Sequence, residues 1–156
     1  MSRTLRIWIP SNRVNPQMRL THMDGWNEIK KAFENRREIG SKLIRDDVQH
    51  CAQHIRLAML RAHWLPMDKY SARPCKVTLR FVERDHRRDL GNIHGGSKYA
   101  LDALTVRHRY GAGAIYDDSQ KWLKEVIYDV AYVGEGYDEP GLEIIVTTLE
   151  KQREKH

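Results

Sequence analysis

The chain has only two cysteines, Cys51 and Cys75, separated by more than twenty residues. That excludes a disulfide framework and a cysteine-rich zinc site. It has no apolar run approaching the roughly 20 residues that span a bilayer, so no membrane association is expected. The first residues do not read as a secretory signal, because Arg3 and Arg6 flank Leu5 ahead of the short Ile7-Trp8-Ile9-Pro10 stretch. A cytoplasmic protein, from a bacterial or phage-infected cell, is the expectation. Repeats and low-complexity segments are absent. What is present is a 156-residue chain with 40% hydrophobic and 31% charged residues. That is enough for one domain, here residues 1–156, that buries roughly two-thirds of its unfolded surface. Lys and Arg number 27 against 21 Asp and Glu, a net charge of +6. Such a balance favours polyanionic partners without identifying one. Basic residues cluster at Lys30-Lys31, Arg36-Arg37 and Arg84-Asp85-His86-Arg87-Arg88.

The hydropathy pattern predicts strand, long helical region, strand, helix, strand, strand. Leu5, Ile7 and Ile9 alternate along residues 4–10, as Val77, Leu79 and Phe81 do along 76–82. Over residues 26–63 the spacing becomes three and four. Trp26, Ile29 and Phe33 make one stripe, and Ile44, Val48, Cys51, Ile55, Ala58 and Ala62 another. Gly40-Ser41 is the expected joint between two helices, since glycine weakens a helix interior and serine caps well. A helix is expected over Ser97–Leu104 and strands over residues 126–133 and 142–149. The fold class is α+β, a small mixed sheet packed against helices.

Carboxylates interrupt this basic chain at pointed places. Asp89 lies just past the second strand, and Asp117-Asp118 follow the Tyr110-Gly111-Ala112-Gly113 loop. Such carboxylates either cap turns or converge to bind Mg²⁺, which takes oxygen ligands and keeps several waters. Arg87-Arg88-Asp89-Leu90-Gly91-Asn92, then Lys98, Asp102-Ala103-Leu104 and Asp117-Asp118-Ser119-Gln120, strongly resemble the RusA-type Holliday-junction resolvases. Ile9-Pro10-Ser11-Asn12 is similar to the Pro-Ser-Asn near that family's N-terminus. The resemblance covers most of the chain in order, although residues 26–63 contribute no signature.

It implies a RusA-like domain that forms a homodimer and cuts four-way junction DNA with Mg²⁺ or Mn²⁺. Asp89 and Asp118 correspond to catalytic, metal-binding aspartates, with Asp117 the neighbour of the latter. Lys98 matches the active-site lysine, which would stabilise charge in the transition state. The plainer alternative for Lys98 is an ion pair with Asp102 one helical turn on. Arg87, Arg88, Lys121 and Lys124 are the expected phosphate contacts. Two departures matter. Gly91 stands where the family signature has a second aspartate, and three additional residues, His94-Gly95-Gly96, precede Lys98. Placed inside a helix they would turn Lys98 by about 300°; Gly95-Gly96 favours a loop instead. Asp85, His94 or Asp102 could replace the missing carboxylate. Alternatively, the chain binds junctions without cutting them, or is a basic RNA-binding protein whose acidic positions are caps and turns.

Two further constellations read as structural. His50 and His54 have metal-ligand spacing but no glutamate after His50. Trp8, Trp26 and Trp64 are expected in the core, while Trp122, between Lys121 and Lys124, suits either packing or base stacking.

Overall fold

The computed structural model describes residues 2–150. Strand β1 (Thr4–Pro10) buries Leu5, Ile7 and Ile9 and turns the intervening residues outward. β2 (Cys75–Glu83) does the same with Val77, Leu79 and Phe81, and β4 (Gly141–Thr148) with Leu142, Ile144 and Val146. β3 (Leu123–Tyr132) begins earlier than the β-branched run at Val126 suggests. The sheet order is β1-β4-β2-β3. β4 pairs antiparallel with both neighbours, setting Ile144 between Ile7 and Leu79, and β2 runs parallel to β3. The expected α+β domain with a mixed sheet is the observed one. Among the described residues no helix is long and apolar enough to cross a membrane.

Helices α1 (Trp26–Asn35) and α2 (Arg37–Ala62) meet at Arg36, whose extended backbone (φ −155°, ψ 145°) breaks the run. The joint is therefore four residues before Gly40-Ser41. Gly40 lies inside α2, where a Cβ would collide with the Phe33 ring of α1. Its role is close helix approach, and packing outweighs the roughly 1 kcal/mol that glycine costs a helix. The buried stripe of α2 is Val48, Cys51, Ala52, Ile55 and Met59, against the inner face of the sheet. The expected end of that stripe, Ala62, is exposed. α1 buries only Ile29, leaving Trp26 54% and Phe33 39% exposed. Trp26 thus departs from the expected core position, and so does Trp8, 37% exposed on the outward face of β1. Trp64 is buried and donates its indole N–H to the Ala114 carbonyl at 3.0 Å. His50 Nε2 lies 2.6 Å from the Pro10 carbonyl, the hydrogen-bonded arrangement expected of a helix histidine.

The parallel β2 and β3 require a crossover, supplied by α3 (Leu90–His94), which the hydropathy pattern does not reveal, and α4 (Ser97–Leu104). Gly95 and Gly96 join these helices with right-handed helical dihedrals rather than as an open loop. A Cβ at Gly95 would meet the Trp26 backbone, and one at Gly96 the Asp24 carbonyl. The glycines let the start of α1 approach the crossover.

Candidate functional site

α4 buries Tyr99, Ala100, Ala103 and Leu104. That face fixes Lys98 and Asp102, four residues apart, on the outer side of the helix. The chain then returns along it. Ala112 N–H donates to the Ala103 carbonyl at 2.8 Å and Ile115 N–H to the Leu104 carbonyl at 3.1 Å, making a short parallel bridge between Thr105 and Ile115. Ala114 and Ile115 are fully buried, and Trp64 holds the Ala114 carbonyl. Asp117 and Asp118 follow immediately, so a buried anchor delivers them to the side of α4.

The side chains converge there. Lys98 Nζ donates to Asp102 Oδ1 at 3.0 Å and Asp118 Oδ2 at 3.4 Å. The hydrogen bond to Asp102 raises the Lys98 pKa, and the charges of both carboxylates add to it, so the ammonium is retained at neutral pH. His108 Nε2 lies 4.0 Å from Asp102 Oδ2. The His108 Nδ1 accepts the Tyr110 N–H at 3.2 Å, which in the neutral ring leaves the proton on Nε2, toward Asp102. Asp117 turns the other way and pairs with Arg107 at 3.6 Å. Hydropathy and motif reading both miss His108 and Arg107; the local signal is the Arg107-His108-Arg109 run just before the glycine loop.

Asp89 has a different neighbourhood. It caps α3, accepting the Asn92 N–H at 2.8 Å, and is exposed. Buried Asn92 in turn accepts the Asn27 N–H at 2.7 Å, tying the crossover to the first turn of α1. Asp89 and Lys98 are nine residues apart along two consecutive helices, about 13 Å if these were coaxial. Asp89 makes no hydrogen bond or ion pair with Lys98, Asp117 or Asp118, so the expected carboxylates do not form one connected cluster. Among the described residues no group of three or more His, Cys, Asp or Glu side chains is placed to hold a metal ion.

Of the three replacements for the carboxylate absent at Gly91, Asp102 stands in the cluster. Asp85 accepts the Arg87 N–H at 3.0 Å within its own turn. His94 packs between the Phe81 and Tyr128 rings, where burial lowers its pKa. Asp102 and Asp118 thus supply two hard oxygen donors around one cation. That donor set fits Mg²⁺, which commonly binds one or two carboxylates and completes its shell with water and phosphate.

The expected phosphate contacts divide. Arg87 is 90% exposed, paired at 3.6 Å only with exposed Asp85. Lys124 is exposed on β3, and Lys121 lies over the Trp122 ring, 5.0 Å from its centroid. Trp122 packs edge-to-face on Tyr116. Arg88 is instead committed to the interior. Its Nη1 donates to both Glu83 oxygens, at 3.0 and 3.1 Å, and Nη2 lies 3.6 Å from Glu28. Burial raises the Glu83 pKa while Arg88 opposes the shift.

No protein-family model matches the chain, and no curated protein matches it.

Proposed function

We propose that the chain is a RusA-type endonuclease that resolves four-way DNA junctions by paired phosphodiester hydrolysis. The observation that carries this reading is the Lys98 ammonium joined to Asp102 and Asp118, carboxylates from two different elements. An exposed trio so anchored suits phosphate chemistry, because carboxylates and a lysine together can hold a cation and meet a phosphate. Asp102 and Asp118 would hold Mg²⁺ or Mn²⁺. The ion supplies charge neutralisation at the phosphodiester and a lowered pKa for the attacking water. Lys98 stabilises negative charge developing on the phosphate oxygens. His108 keeps its Nε2 proton directed at Asp102 and so helps orient that carboxylate. Arg87, Lys121 and Lys124 neutralise flanking phosphates, and each such contact steepens the salt dependence by about 0.9 in log–log slope. Resolution takes two symmetric cuts, which a two-fold homodimer supplies. The setting is the cytoplasm of a bacterial or phage-infected cell.

One observation favours a second reading. Asp89 is occupied as a helix cap and Gly91 carries no carboxylate, so the chain could bind junctions without cutting them. Cleavage of a labelled four-way junction in Mg²⁺ and in Mn²⁺, with Asp118→Asn in parallel, separates the two. Nicks lost in the variant support the nuclease. Junction-selective binding without nicks supports the binder.

A further inference from the structure

β1 is an edge of the sheet, and between it and α2 runs a groove of about 590 Å³. Arg6, Trp8, Pro10, His54, Leu57 and Arg61 line it. Its charge is of one sign. Arg6 and Arg61 are exposed and make no ion pair among the described residues, and no carboxylate lines the groove. Two other polar clefts differ in this respect. The one holding Arg13, Arg84, Arg87 and Arg88 also contains Glu83 and Asp85, and the one along α1 and α2 contains Glu28, Glu34 and Asp46.

The groove also has an ordered aromatic wall. Trp8 is 37% exposed and stacks on Tyr137, with centroids 5.7 Å apart. That contact fixes the indole in advance and lowers the entropy cost of stacking a ligand ring. Leu57, 43% exposed, adds apolar surface, and the neighbouring Glu143 is bound to Arg80 at 2.6 Å and Tyr137 at 3.0 Å. His54 is kept neutral by burial and by His50, and offers a hydrogen-bonding edge. Two unpaired guanidiniums, an ordered indole and a neutral imidazole match a nucleotide's phosphate, base face and base edge.

We infer that the β1–α2 groove binds a single-stranded nucleic-acid segment, with a phosphate between Arg6 and Arg61 and a base against Trp8. The groove shares no lining residue with the Lys98 cluster, so this inference stands apart from the nuclease reading.

The test is fluorescence anisotropy with the full chain and three labelled probes: a thymidine oligonucleotide, an abasic strand of equal length, and a duplex of equal length. Arg61→Glu and Arg6→Glu, both on the exposed surface, should each weaken oligonucleotide binding about tenfold. Each should also flatten its log–log salt slope by about 0.7 per lost phosphate contact. Trp8→Ala should weaken thymidine binding about tenfold and leave abasic binding unchanged, and Trp8→Phe should restore most of it. Asp118→Asn should bind the oligonucleotide as the unmodified chain does, whatever happens to cleavage. Equal affinity for all three probes, or indifference to the arginine substitutions, overturns the inference. So does a shift from dimer to monomer in Arg61→Glu with oligonucleotide affinity unchanged, which would make the groove an interface between copies.

Discussion

Lys98 Nζ and Asp118 Oδ2 lie 3.4 Å apart, although twenty residues of chain separate them. The approach follows from the return of residues 112–115 along α4, held by the buried Ile115. Because Lys98 is 74% exposed, its ion pairs contribute little to stability. Lys98→Met should therefore change the unfolding free energy by no more than about 0.5 kcal/mol. Junction cleavage should fall on the order of 100-fold. Urea unfolding and single-turnover cleavage together check this; a large stability loss with cleavage retained would assign Lys98 a structural role.

Gly91 lies in the first turn of α3, and a Cβ there meets only Asp89 Oδ1, at 3.6 Å. Gly91→Asp is therefore accommodated. It gains helix propensity of about 0.5 kcal/mol and a favourable position near the helix N-terminus, offset by repulsion from Asp89. The melting temperature should stay within a few degrees of the unmodified chain. If Asp89 participates in cleavage, the Mg²⁺ concentration for half-maximal activity should drop several-fold. An unchanged Mg²⁺ dependence would confine the reaction to the Asp102–Asp118 side.

Arg87 and Arg88 are adjacent but should behave oppositely. Arg88→Ala strands the buried Glu83 carboxylate, 4% exposed, and should cost about 3 kcal/mol of stability. Arg87→Ala should leave stability unchanged and reduce the salt slope of DNA binding by about 0.9. Denaturant melts and binding titrations at several salt concentrations distinguish them.

Asp47 of α2 is 2% exposed, and its Oδ2 has no hydrogen-bond partner. Burial, followed by the neighbouring Asp24 carboxylate, raises its pKa to about 8. Since the folded value lies above the unfolded one near 3.8, the native state holds the proton that the unfolded chain has released. Stability from this group is fully present below about pH 4 and declines as pH rises toward about 8. Asp47→Asn removes that titration. It should flatten the pH dependence across this window and raise stability at neutral pH, as read by urea melts at successive pH values.

Much of the fold is legible in the sequence because β1, β2 and β4 each bury one face, and strict alternation records that directly. Tertiary contacts account for the misses. Gly40 reads as a breaker, yet it serves the approach of Phe33. Gly95-Gly96 read as a loop, yet they let α1 approach the crossover. Trp26 has core character but lies at the rim of α1, where only Ile29 reaches the interior. At the site, Lys98, Asp117 and Asp118 are visible through motif order, and Asp102 through helical spacing. The capping of α3 by Asp89, the Asp117–Arg107 pair and the burial of Arg88 depend on contacts that neither order nor spacing encodes.

The most direct measurement is cleavage of an end-labelled four-way junction beside a duplex of the same sequence, in Mg²⁺ and in Mn²⁺, for the unmodified chain and Asp118→Asn. The account predicts paired, symmetric nicks in the junction alone, abolished by the substitution. Metal-dependent nicks that persist in Asp118→Asn, or no nicks at all in either metal, would contradict it.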